Sequence, residues 1–134
     1  IGLQIESRAG ADTLLGGAGA DTILAGANDD GVLADGGGGA DDIGSGEGAD
    51  TLSGGAGADT ILAHRGGDLL RGGTEADEIH GEMGEDTLLG EQGADTLVGG
   101  DGADRIDGGT EDDLIVLDGE VGHYFGGDPT RDGG

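Results

Sequence analysis

The sequence predicts an all-β fold, a right-handed parallel β-solenoid of about six turns. Three observations predict it: an aspartate that recurs every nine residues, an aliphatic residue two places after each, and a glycine-rich turn before each. With 36 glycines, one proline, and only Tyr124 and Phe125 for aromatic bulk, this chain of 134 residues lacks the material for an ordinary globular interior. Only the strict period separates it from low-complexity disorder.

The aspartates are Asp12, Asp21, Asp30, Asp41, Asp50, Asp59, Asp68, Asp77, Asp86, Asp95, Asp104 and Asp113. The matching aliphatics are Leu14, Ile23, Val32, Ile43, Leu52, Ile61, Leu70, Ile79, Leu88, Leu97, Ile106 and Ile115. One interval, Asp30 to Asp41, is eleven residues, and an insertion near Ala34-Asp35 is expected to account for it. A representative unit is Gly54-Gly55-Ala56-Gly57-Ala58-Asp59-Thr60-Ile61-Leu62, which reads GGxGxDxUx with U aliphatic.

Numbering the unit one to nine, positions one to six make a turn and positions seven to nine a short strand whose central side chain points inward. Glycine at positions one, two and four permits positive φ and close backbone packing. Two units complete a coil, so residues 18 apart lie over one another at about 4.8 Å. The aspartates then form two columns, Asp12, Asp30, Asp50, Asp68, Asp86, Asp104 and Asp21, Asp41, Asp59, Asp77, Asp95, Asp113.

Charge decides what such columns require. Thirty acidic residues oppose five arginines and no lysine, a formal charge of −25, which repels nucleic acid and anionic membrane surfaces. Self-repulsion of that size opposes any compact state unless a cation neutralises it. Ca²⁺ takes six to eight oxygen ligands at about 2.3–2.6 Å, and a glycine turn offers bare carbonyls beside carboxylates. The twelve position-eight aliphatics are too few to order the chain unaided, so a metal-free disordered state and a folded calcium state are expected.

The nonapeptide GGxGxDxUx in tandem resembles the RTX (repeats-in-toxin) family, and the resemblance covers residues 7–116. It implies a parallel β-roll in which each Ca²⁺ lies between stacked turns, ligated by two position-six aspartates and by backbone carbonyls of both turns. The twelve aspartates above are the ligands so implied, and five gaps in each of two columns would hold up to ten ions, leaving a charge of about −5. Extracellular calcium modules bind at about 10⁻⁴–10⁻³ M, which suits a chain secreted unfolded and folded outside. The resemblance therefore implies a secreted or cell-surface calcium-binding structural module, exported by type I secretion, and not an enzyme. Two alternatives stand beside it: the C-terminal secretion and folding module of an extracellular protease, lipase or epimerase, and a self-assembling extracellular filament.

Residues 1–6 read as an incomplete first turn, 7–116 as the repeats, and 117–134 as an incomplete last turn with a linker, as in a segment of a longer polypeptide. Projecting the register outward puts Ile5 and Tyr124 at position eight, with Leu3 and Gly122 where an aspartate would stand. Asn28, Glu75 and Glu111 replace glycine at position four, and Arg8, His64, Glu82 and Glu91 at position two; the turns with glutamate at position four are expected to bind metal more weakly.

Other features carry no chemistry. His64, His80 and His123 are scattered and read as surface positions, and Ser7, Ser45 and Ser53 sit in no nucleophile elbow. Asp29, Asp42, Asp101 and Asp112 read as solvated acids. The outward threonine rows are too broken to bind ice, whereas Leu15, Leu24, Leu33, Leu62, Leu89, Val98 and Val116 at position nine offer apolar rows that invite self-association.

Overall fold

A computed structural model describes residues 1–27 and 30–117, and the backbone of 121–125. Expectations for Asn28, Asp29, the side chains of His123 and Tyr124, and the linker at 126–134 lie outside the described residues.

Every described element is a strand. One parallel sheet holds β1 (Gln4–Glu6), β3 (Thr22–Leu24), β5 (Asp42–Gly44), β7 (Thr60–Leu62), β9 (Glu78–Met83), β11 (Thr96–Asp101) and β13 (Leu114–Val116), in that order. The other holds β2 (Thr13–Ala18), β4 (Leu33–Gly38), β6 (Thr51–Ala56), β8 (Leu69–Thr74), β10 (Thr87–Gln92), β12 (Asp104–Asp107) and β14 (Val121–Phe125). Odd strands build one wall and even strands the other, so each consecutive pair is one coil of a solenoid. This is the β-solenoid that the nine-residue period predicts.

The register follows the period. Ile5 pairs with Ile23, Ile43 with Ile61, Ile61 with Ile79, and Leu97 with Ile115 on one wall. On the other, Leu52 pairs with Leu70, Leu70 with Leu88, Leu88 with Ile106, and the Ile106 backbone with Tyr124. The described position-eight side chains, from Ile5 to Ile115, face one another between the walls, and Ile23, Ile43, Leu52, Ile61, Leu70, Ile79, Leu88 and Leu97 are fully buried. Leu15, Leu24 and Leu33 are exposed on the outer surface, and Leu62, Leu89, Val98 and Val116 are half-buried there.

Two expectations are corrected. The strands are not confined to three residues: β2, β4, β6, β8, β9, β10 and β11 each run for six, carrying the ladder through position three. The reason is that position two adopts the same positive φ in successive coils, so peptides there stay aligned, as Gly55 does with Gly37 and Gly73.

The second correction concerns the insertion. Leu14 pairs with Ala34, not Val32, and Ile23 with Ile43, each twenty residues apart. Gly46 stacks close on Gly26, twenty residues back, whereas Gly31 stacks on Ala49, eighteen on. The two extra residues therefore fall between Gly26 and Gly31, ahead of Ala34-Asp35. Ala34 becomes the inward position-eight residue of that coil, Leu33 and Asp35 face outward, and Val32 moves to position six.

Candidate metal sites

The turns form two edges of the solenoid. Turns leading from an even strand to the next odd strand carry Asp21, Asp41, Asp59, Asp77, Asp95 and Asp113, the first edge. Turns leading back from odd to even strands carry Asp12, Val32, Asp50, Asp68, Asp86 and Asp104, the second edge. The first column is as expected from the sequence. The second lacks Asp30, which is exposed and displaced from the row that Val32 enters, while Asp12 is half-buried at its end.

Within a row, one carboxylate oxygen is fastened to the preceding coil. Oδ1 of Asp41 accepts the N–H of Asp21 at 2.7 Å, Oδ1 of Asp59 that of Asp41 at 2.8 Å, and Oδ1 of Asp95 that of Asp77 at 2.8 Å. The second edge repeats the pattern from Val32 N–H to Asp50 Oδ1 at 2.7 Å through Asp86 N–H to Asp104 Oδ1 at 3.0 Å. Leu3 also donates to Asp21 Oδ1, so its backbone does hold position six, without a carboxylate.

The other oxygen has no such partner. Oδ2 of Asp21, Asp41, Asp50, Asp59, Asp68, Asp77, Asp86 and Asp95 is buried and accepts no hydrogen bond. An ionised carboxylate held that way costs several kcal/mol unless a cation meets it.

Position-one glycine makes the space for one. A β-carbon on Gly16, Gly36, Gly54, Gly72, Gly81, Gly90 or Gly108 would collide with Oδ2 of the aspartate five residues on. At Gly36 and Gly81 the same point lies 2.7 Å from the carbonyl oxygens of Gly54 and Gly99, one coil away. A carboxylate oxygen of one coil and a carbonyl of the next thus converge on a pocket kept open by a missing side chain. Hard oxygen donors from two layers suit Ca²⁺. Among the described residues no three Asp, Glu or His side chains converge, so any such site is completed by carbonyls.

Glycine at position one does not take positive φ; its role is space alone. Position four does take it, and so does position two except at Arg8, Gly26 and Gly46, including where the residue is not glycine: His64, Glu82 and Glu91 at position two have φ of 74°, 77° and 76°, and Glu75 and Glu111 at position four 79° and 86°.

Burial dominates the electrostatics. It pushes the Asp77 carboxyl up to about 7, against the lowering effect of the hydrogen bond from the Asp59 backbone, and Asp59, Asp95 and Glu75 push it further. Asp59, Asp68 and Asp95 rise to about 6, and Asp86 rises too, each chiefly through burial with neighbouring carboxylates adding. Protons and a divalent cation therefore compete for the same oxygens.

The surrounding groups stay apart from these rows. His64 Nδ1 lies 3.1 Å from Glu82 Oε2 and His80 Nε2 2.8 Å from Glu78 Oε1, both on the surface. Asp42, Asp101 and Asp112 are exposed. A cavity of about 470 Å³ lies beside the second edge, bounded by Leu24, Ser45, His64, Glu82 and Met83.

Comparison with known families decides what the rows are. The RTX calcium-binding nonapeptide repeat matches the chain four times, over residues 5–32, 35–70, 63–97 and 89–120. The chain belongs to the RTX calcium-binding repeat family. No curated protein and no solved structure matches it. RTX repeats bind Ca²⁺ and form a parallel β-roll, a structural repeat fold, and the stacked coils and carbonyl-lined carboxylate rows are that architecture. The RTX rows contain one residue that the Asp-x-aliphatic period does not reveal, Val32 at position six. The intact turn Gly36-Gly37-Gly38-Gly39-Ala40-Asp41 is the signal that locates it, because counting back from Gly36 makes Ala34 position eight and leaves Val32 at six.

Proposed function

We propose that this chain is a calcium-loaded structural module of a secreted or cell-surface protein, without catalytic activity of its own, disordered in the absence of metal and folded in its presence. The observation that carries the reading is the row of buried Oδ2 atoms with no hydrogen-bond partner, repeated coil after coil. With a formal charge of −25, a metal-free roll would bury these carboxylates against one another with nothing to balance them.

The position-six aspartates and position-one carbonyls would hold Ca²⁺, which supplies the charge that lets successive coils approach. The Oδ1 atoms keep their backbone hydrogen bonds and so aim each Oδ2 at the gap. Sites of mixed carboxylate and carbonyl character are expected to fill at about 10⁻⁴–10⁻³ M calcium, a concentration met outside cells. That threshold keeps the chain extended for export and folds it afterwards.

Far-UV circular dichroism at pH 7.5 tests this. A coil spectrum in chelator, converting to β on raising calcium through that range, is the expected result. A β spectrum that chelator leaves unchanged removes the reading.

A further inference from the structure

We infer that the two edges of the roll are loaded unequally: the first edge is a continuous run of five shared calcium gaps, whereas the second has three, all C-terminal to Val32. This rests on the reading of the aspartate rows as calcium sites.

Val32 is the first ground. It is 3% exposed, its N–H donates to Asp50 Oδ1 at 2.7 Å, and its pairing places it at position six of its coil. Its isopropyl group offers no ligand, so the gaps Asp12/Val32 and Val32/Asp50 each have a single carboxylate. Shared gaps with two carboxylates remain at Asp50/Asp68, Asp68/Asp86 and Asp86/Asp104 on that edge. On the first edge every gap from Asp21/Asp41 to Asp95/Asp113 has two.

Position one is the second, independent ground. On the first edge it is glycine in each coil: Gly16, Gly36, Gly54, Gly72, Gly90 and Gly108. On the second it is Ser7, Ala25, Ser45 and Ala63 before it becomes Gly81 and Gly99. A β-carbon at Gly81 would strike Asp86 Oδ2, so the Ser45 and Ala63 β-carbons crowd the cradle in their own coils, and Asp50/Asp68 and Asp68/Asp86 fill at higher calcium than Asp86/Asp104. Ser45 goes further, because its buried hydroxyl donates to the Ala63 carbonyl at 2.8 Å, taking a lone pair of the oxygen that corresponds to a cradle carbonyl elsewhere. On the second edge only Asp86/Asp104 has position-one glycine in both coils of its gap.

Among the described residues the roll therefore has eight two-carboxylate gaps and not ten, and its N-terminal coils are neutralised from one side. Order induced by metal begins in the coils of β9 to β12, where both edges close, and spreads toward β2 and β3.

Equilibrium dialysis at saturating calcium and about 0.15 M salt, which screens diffuse binding, counts the ions. Eight are expected in the natural chain, ten in Val32→Asp, and six in Asp59→Val, which interrupts the first edge as Val32 interrupts the second. Ten ions in the natural chain, or no gain in a folded Val32→Asp, overturns the inference. If Val32→Asp fails to fold, amide exchange of the natural chain at limiting calcium decides: protection at Leu88, Leu97 and Ile106 ahead of Leu14 and Ile23 supports it, and simultaneous or reversed protection overturns it. A natural chain that binds no calcium at all sinks the proposed function as well, and is distinguishable from an evenly filled roll by the count alone.

Discussion

The N–H of Asp59 donates to Oδ1 of Asp77, 18 residues later, at 2.8 Å, while Oδ2 of Asp77 remains buried without a hydrogen-bond partner. One carboxylate thus does two separable jobs, closing the backbone ladder with one oxygen and facing the inter-coil gap with the other.

Substitution separates them. Asp77→Asn keeps an oxygen for the Asp59 N–H and removes the charge, so the metal-free chain becomes more ordered while the calcium midpoint rises. Asp77→Ala also orphans that buried N–H, adding a cost of about 1–3 kcal/mol. Calcium titrations followed by circular dichroism check both, and equal behaviour of the two variants contradicts the division of labour.

Acid should favour the metal-free roll. Asp77 is raised to about 7 and Asp59, Asp68 and Asp95 to about 6, from 3.8 in an unfolded chain, so between those values the folded state binds more protons than the unfolded one. Stability without metal then falls as pH rises through 6 to 7 and is regained as pH falls toward 4. In chelator, β signal is expected to grow on lowering the pH from 7.5 to about 4.5, and the calcium midpoint to rise over the same interval because protons compete. A metal-free chain that loses structure on mild acidification contradicts this.

Glu75 is held at φ 79° and is exposed beside the first edge, where its charge raises both Asp59 and Asp77. Left-handed backbone costs a side-chain-bearing residue about 1–2 kcal/mol, and glycine loses about 0.5–1 kcal/mol of that advantage through its freer unfolded state. Glu75→Gly is expected to stabilise the calcium-loaded roll by about 1 kcal/mol in thermal unfolding. Destabilisation by a similar amount would mean that the Glu75 carboxylate itself contributes to the metal site.

The solenoid was legible because its period is imposed by geometry at every coil: a buried aliphatic such as Ile61 and a stacked aspartate such as Asp59 leave marks nine residues apart. The place of the insertion was not, because Asp30 and Val32 imitate the Asp-x-aliphatic signature locally. What overrides the imitation is the demand of the next turn, where only Gly36 leaves room for Asp41 Oδ2. The strand lengths escaped for a related reason. Where position two takes positive φ in register with its neighbours, glutamate included, the ladder runs on through what composition marks as turn.

The most direct measurement is residue-resolved amide hydrogen exchange of the aspartate rows at pH 7.5, with calcium and then with chelator. In calcium, the N–H groups of Asp41, Asp59 and Asp77, each bonded to the carboxylate one coil on, should exchange slowly, and in chelator at the rate of an unstructured chain. Equal protection in both would show that stacked carboxylates hold together without a divalent ion, and would contradict a roll assembled by calcium.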